Sequence, residues 1–210
     1  MSTNARALAY RPLVSGIRIT NEVTDNPGTL GCIGLDAQDQ PWIVSCYHVL
    51  GRGRQPISAP ASGEAILQST VALGGGIVAR TRLEKMNSLL DIAAAIIVPD
   101  IGVSNSVFGL NDLQKIVTAV EGMTVVKSGA ETGVTMGVVS DVTDKLITIV
   151  SPPEADPNDA ISDRGDSGAI WLDADTGHAV ALHIAGVNDQ TAFGRPLSLV
   201  LETLGLRLLE

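Results

Sequence analysis

The sequence predicts an all-β protein closed by one C-terminal helix, and three observations predict it. Apolar residues make up 45% of the 210 and charged residues 18%, which supplies a sizeable core and argues against disorder. The 22 glycines and 10 prolines fall at short intervals between apolar, β-branched runs, the spacing of strands and turns. The period changes only near the end, where Leu197, Val200, Leu201 and Leu204 follow the i, i+3, i+4, i+7 spacing of an amphipathic helix. Pro196 starts that helix and Gly205 ends it. A chain of this length fits one compact β unit or two small barrels sharing an interface.

Taken in order, residues 13–20 begin to alternate, and residues 29–35 follow a turn at Asn26-Pro27-Gly28. Beyond the polar turn 36–41, residues 42–49 read as a buried strand with His48 at its end. Residues 51–63, rich in Gly, Pro, Ser and Arg, form an irregular loop, and strands resume at 65–67 and 76–79. Residues 91–98 contain three alanines that suit a helix, but their short length and Ile96-Ile97-Val98-Pro99 favour a buried strand with Asp91 at its start. Residues 102–115 read as a surface connection, which divides the chain into halves at 1–115 and 116–210. In the second half, strands are expected at 122–129, 133–139 and 146–150, and the polar loop 151–159 delivers the chain to Ser167. Residues 170–172 and 179–184 form a hairpin, and no internal repeat is visible.

With 14 basic and 23 acidic residues the net charge is −9, so a nucleic-acid backbone would be repelled, and no basic patch compensates. No run is long enough to span a membrane, and residues 1–10 lack the continuous apolar stretch of a secretory signal. With Met1 present, the expected location is the cytoplasm. Cys32 and Cys46, the only cysteines, do not have paired metal-ligand spacing, and nothing in the sequence calls for a metal or another cofactor. They flank one hairpin and could form a disulfide across it, but in a reducing cytosol two buried thiols are expected. Cys46 is expected on the strand of His48 but facing away from it, which sets it aside as a nucleophile.

The stretch Arg164-Gly165-Asp166-Ser167-Gly168-Ala169 carries the chemistry, although Gly-Asp-Ser-Gly alone is equally a hairpin turn. A serine hydroxyl is a poor nucleophile at neutral pH and needs a base, for which imidazole has the right pKa. His178 lies in the turn after Ser167 and His183 on the next strand, whereas His48 comes from the other half, where it could face Ser167 across a cleft. Asp91 would accept the second imidazole N–H, while Asp36, Asp39 and Asp100 sit in turns or strand exits. The N–H groups of Gly165 and Ser167 would converge on the oxyanion of a tetrahedral intermediate, each worth about 3 kcal/mol. An α/β-hydrolase elbow would require Gly at Ala169 and a His following Ser and acid, the reverse of the order here.

His48, Asp91 and Ser167 in that order make the chain resemble the small bacterial type of chymotrypsin-like (trypsin-fold, PA clan) serine peptidases, over about residues 11–208. The segments that carry the resemblance are 28–32, 44–50, 90–93, 127–129, 132–137, 165–169 and 183–186. It implies two six-stranded antiparallel β-barrels with a catalytic triad in the cleft between them. The implied activity is cofactor-free hydrolysis of peptide bonds in a protein or peptide substrate, through an acyl-enzyme.

The departures are specific. Ser45-Cys46-Tyr47-His48-Val49 replaces the family's Thr-Ala-Ala-His-Cys, so the usual disulfide after the histidine is lost. No internal basic site precedes an Ile-Val-Gly-Gly, whose release in the family orders the serine loop through the Asp before Ser. Asp166 therefore needs another group, or an activating partner protein, to hold it. By resemblance Ile161 lines the primary pocket, where a trypsin-like preference would want Asp. His183 lies where glutamyl-specific bacterial and viral 3C-like peptidases place a pocket histidine, and Ser162 is its neutral companion; together they imply a P1 Glu or Gln. The plainer reading of His183 is a core histidine on a strand. His178, beside Gly177, is expected to be an exposed turn residue. A second function also stays open, a peptidase-like binding or scaffold module without turnover, although such a module has no chemical need of all three groups.

Overall fold

The computed structural model describes residues 5–51, 60–68, 76–156 and 158–210. Residues 1–4, most of the expected 51–63 loop, the stretch 69–75 and Pro157 of the polar loop lie outside the described residues. The first half comprises β1 (Leu13–Ser15), β2 (Arg18–Asn21), β3 (Pro27–Thr29), β4 (Cys32–Leu35), β5 (Pro41–Ser45), the helical turn α1 (Tyr47–Leu50), β6 (Ala65–Gln68), β7 (Gly76–Asn87), β8 (Ile92–Ile97) and β9 (Val103–Val107). The second comprises β10 (Thr124–Gly129), β11 (Gly133–Val142), β12 (Ile147–Val150), β13 (Ile170–Asp173), β14 (Ala179–Asn188), β15 (Thr191–Pro196), α2 (Leu197–Leu204) and β16 (Arg207–Leu208).

The second half closes into a six-stranded barrel in the order β10-β11-β12-β15-β14-β13, antiparallel throughout. Among the described residues, seven strands of the first half and the C-terminal strand β16 form a half-barrel sheet in the order β16-β4-β5-β8-β7-β6-β2-β3. Two further strands, β1 and β9, form a separate two-stranded sheet. Gly16 takes a φ of +82°, which breaks the expected 13–20 strand into two and sends β1 to pair in parallel with β9. The stretch 102–115, expected as a plain connection, supplies β9. The C-terminal strand β16 then crosses back to pair with β4 of the first half.

Burial explains the one ambiguous run. β8 lies between β5 and β7, and Ala93, Ala94 and Ala95 are buried on both of its faces. Small side chains let a central strand be covered on two sides, which overrides their helix propensity. The helix α2 is as expected, with Leu197, Val200, Leu201 and Leu204 buried and Gly205 in the left-handed conformation at φ +60°. Its residues join a core that runs from β4, β5 and β8 through Ile170, Leu182 and Ile184 of the barrel, so the two halves share apolar packing. A second core, with Val125, Ile149 and Trp171, fills the barrel interior.

Candidate active site

The chain leaves β5 at Ser45, and Cys46, with φ −74° and ψ 151°, starts a single helical turn. His48 therefore rides on α1, not at the end of a strand as expected, and is lifted toward the cleft while remaining 8% exposed. Asp91 precedes β8 with a φ of +58°, a left-handed conformation that aspartate tolerates better than bulkier residues. Its carboxylate faces the α1 turn: Oδ2 lies 2.8 Å from His48 Nδ1, and Oδ1 lies 3.0 Å both from that nitrogen and from the His48 backbone N. Backbone and side chain of one residue thus converge on one carboxylate, which fixes the imidazole in angle as well as distance.

Ser167 lines a cleft of about 750 Å³ together with His48, Gly165, Ser162 and His183. Strands of both halves hold its loop. The Ser167 carbonyl accepts from Thr29 N at 2.8 Å, and Thr29 Oγ1 donates to the Gly165 carbonyl at 2.8 Å while accepting from Ala130 N at 2.9 Å. Gly168 must be glycine: its φ is +99°, and a β-carbon there would run into Ser45 Oγ and the Thr29 carbonyl. Among the described residues, the Gly165 and Ser167 N–H groups make no hydrogen bond within the chain, and none joins Ser167 to His48. In free hydrolases the nucleophile–base contact is often long and tightens with substrate.

The structure answers the question of what holds Asp166. Lys127, on β10, donates through Nζ to Asp166 Oδ2 at 2.8 Å, and both residues are fully buried. Thr132 Oγ1 donates to the same oxygen at 2.5 Å and Asp163 N at 3.2 Å, while Glu131 N and Thr132 N donate to Oδ1 at 3.0 and 3.1 Å. Burial alone would raise the Asp166 carboxyl, but Lys127, Thr132 and the backbone donors outweigh it and hold the group below the usual carboxylate range. Burial pushes the Lys127 ammonium below its ordinary value against the pull of Asp166. Gly129 makes room for the arrangement, since a β-carbon there would overlap the Asp166 carboxyl. Strand alternation carries the signal for Lys127, which shares the inward face of β10 with Val125, and an inward lysine needs a carboxylate.

The expected specificity residues separate. Ser162 lines the cleft, is 6% exposed, and its hydroxyl has no partner among the described residues. His183, 1% exposed on β14, also borders the cleft, and its Nδ1 lies 3.4 Å from Trp171 Nε1. The apolar side chain of Ile161 packs into the barrel core with Trp171, while the neighbouring Ser162 lines the cleft. His178 is half-exposed in the β13–β14 turn.

The cysteines are both buried free thiols, and Cys32 pairs across the sheet with Val44, not Cys46. Burial pushes the Cys32 thiol up to about 12. Cys46 does not face away from His48. Residues two apart share a face even in a strand, and here the α1 turn brings Cys46 Sγ and ligand atoms of His48 and Asp91 within 4.8 Å of one another. The Cys46 thiol donates to the His183 carbonyl at 3.2 Å. No helix among the described residues is long and apolar enough to cross a membrane.

No family model and no curated protein matches the chain by sequence. Solved structures do match. A glutamic acid-specific serine protease, described as using a histidine triad in substrate binding, aligns with a TM-score of 0.67 at 18% identity, over 94% of this chain and 100% of that one. Thermobifida fusca protease A aligns at 0.66 with 20% identity, over 93% and 97% of the two chains. A Cellulomonas bogoriensis chymotrypsin aligns at 0.63 with 18% identity, over 93% and 97%. Near-complete coverage in both directions at such low identity is a likeness of fold, and the chain has the fold of the chymotrypsin-like serine peptidases.

Proposed function

We propose that the chain is a cytoplasmic serine endopeptidase that hydrolyses peptide bonds in proteins or peptides through an acyl-enzyme. The observation that supports it most is the meeting, at one cleft, of His48 paired to Asp91 and of Ser167, drawn from three separate segments. Ser167 Oγ attacks the scissile carbonyl while His48 Nε2 takes its proton. Asp91 keeps the other proton on Nδ1, which leaves Nε2 as the acceptor, and stabilises the imidazolium that forms. The Gly165 and Ser167 N–H groups receive the oxyanion. Collapse of the intermediate sends the His48 proton to the leaving amine, and water then repeats the sequence on the acyl-enzyme. Lys127 supplies the ammonium that Asp166 requires, so this reading needs no activating partner.

A preference for P1 Glu or Gln belongs to the same proposal. An indole N–H can only donate, so the contact from Trp171 makes His183 Nδ1 an acceptor and puts the ring proton on Nε2. The ring then offers a donor to a P1 side-chain oxygen, with the Ser162 hydroxyl as a second. A cleavage profile over a peptide library tests this, and a preference for basic or large aromatic P1 residues rejects it. The peptidase reading is tested by fluorophosphonate labelling, where wild type is expected to label and Ser167→Ala to remain blank. Equal labelling of the two overturns it. The lack of a His48–Ser167 hydrogen bond among the described residues favours a second reading, a binding module without turnover, for which neither protein would label.

A further inference from the structure

The side chain that the proposed peptide chemistry does not use is Cys46. Its sulfur, a His48 ring nitrogen and an Asp91 oxygen all lie within 4.8 Å of one another, and Cys46 and His48 are buried. Thiolate, imidazole and carboxylate together are a zinc-type donor set, and three protein ligands leave a fourth position for water. We propose that these three residues form an inhibitory site for a divalent zinc-type cation, through which the metal switches the peptidase off; the inhibitory consequence rests on the peptidase reading, and the binding does not.

The geometry is close to what an ion would need. Bond lengths of about 2.0–2.3 Å at tetrahedral angles separate neighbouring ligand atoms by roughly 3.3–3.7 Å. His48 Nδ1 and Asp91 Oδ2, at 2.8 Å, must part by about half an ångström. The His48 backbone N donates to Asp91 Oδ1 at 3.0 Å and orients that ligand, while the hydrogen bond from the Cys46 thiol to the His183 carbonyl, 3.2 Å, is given up when the thiol loses its proton. The Asp91 side chain is 20% exposed, which gives the ion its way in.

The proton balance explains why such an ion would inhibit. The ion bonds Cys46 Sγ, and the thiol proton leaves to solvent. It bonds His48 through Nδ1, and the ring proton passes by way of solvent to Nε2. The Asp91 carboxylate binds without changing protonation, so one proton is released per ion and the bound charges sum to zero. His48 then carries hydrogen on Nε2, the position that must be empty to take the Ser167 proton. Binding would hold the ring in the tautomer opposite to the one the reaction needs.

The test uses the full chain, first stripped with EDTA. Co2+ titration is expected to produce a near-ultraviolet thiolate-to-cobalt charge-transfer band that is lost in Cys46→Ala and kept in Cys32→Ala. Zn2+ should compete the band away and slow fluorophosphonate acylation, reversibly with EDTA. In Cys46→Ala, about tenfold or more Zn2+ should be needed for the same slowing, relative to that variant's own metal-free rate. If Cys46→Ala does not fold, the isosteric Cys46→Ser replaces it. No band, a band unchanged by removing Cys46, or equal Zn2+ sensitivity in both proteins overturns the site. A Cys46-dependent band on a protein that never acylates supports the metal site while removing the peptidase reading, so the two fail separately.

Discussion

Asp91 holds His48 and Asp166 precedes Ser167, two residues that line the same cleft, and the surroundings of these two carboxylates are opposite in kind. The Asp91 side chain is 20% exposed and its partner is the imidazole that the proposed mechanism protonates. Asp166 is fully buried against an equally buried ammonium and receives four further donors. The first arrangement suits a pair whose charge must change during a reaction. The second suits a pair whose charge must not. Under the proposed mechanism, exposure and partner type thus give the two carboxylates different tasks, chemistry for Asp91 and loop architecture for Asp166.

The largest expected effect tests the Asp91 side of that contrast. Asp91→Asn should retain the shape of the site but lose the correct His48 tautomer, lowering kcat by about 10⁴. The melting temperature should move little, because asparagine keeps the side-chain volume and the Oδ1 acceptor for the His48 backbone N. Turnover normalised to intact active sites, together with calorimetry on the same preparation, checks both halves of the statement. A variant that melts early but turns over normally would invert the comparison.

Lys127→Met tests the Asp166 side and should do the reverse. It leaves a buried carboxylate unpaired, at a cost of about 3–5 kcal/mol in denaturant unfolding. Adding Asp166→Asn should recover much of that loss, since removing both charges removes the mismatch. A double variant no more stable than Lys127→Met would show that the other donors to Asp166 carry the loop.

Acid titration gives a third, smaller difference. Burial acts to raise the Asp166 carboxyl, but Lys127 and Thr132 dominate and hold it below its usual value. The unfolded chain therefore takes up this proton before the folded one does. The stabilisation is complete above the ordinary carboxylate range, about pH 4, and is lost as pH falls through the depressed folded value. The stability of wild type should fall in that window more steeply than that of the Lys127→Met/Asp166→Asn double variant. Parallel acid limbs would mean that other carboxylates set the slope.

How much of this was legible in the sequence follows the same division. The order of His48, Asp91 and Ser167, the β class and helix α2 could be read because motif spacing and periodicity are local signals. The α1 turn under His48 could not, because an apolar β-branched run continues through Ser45 without a cap or a breaker. Strand β9 was missed since Val103-Ser104-Asn105-Ser106-Val107 is too polar to read as a strand, and its pairing with β1 is a long-range event. Lys127 and Trp171 were hidden for a related reason. Each acts through a partner 39 or 12 residues away, so its role becomes visible only once strands are in register.

The smallest predicted effect concerns Trp171. In Trp171→Phe most of the buried ring surface remains while the N–H that reaches His183 Nδ1 is lost. A neutral hydrogen bond of this kind is worth about 0.5–1.5 kcal/mol, or roughly a 2- to 10-fold change. That loss should fall on kcat/KM for substrates with P1 Gln or Glu and leave P1 Ala substrates nearly unchanged, because only the former need an oriented donor in the pocket. Ser162→Ala should act in the same direction through the second donor. If Trp171→Phe slows all three substrates equally, the indole is packing the barrel beneath the cleft, and the pocket histidine is oriented by something else.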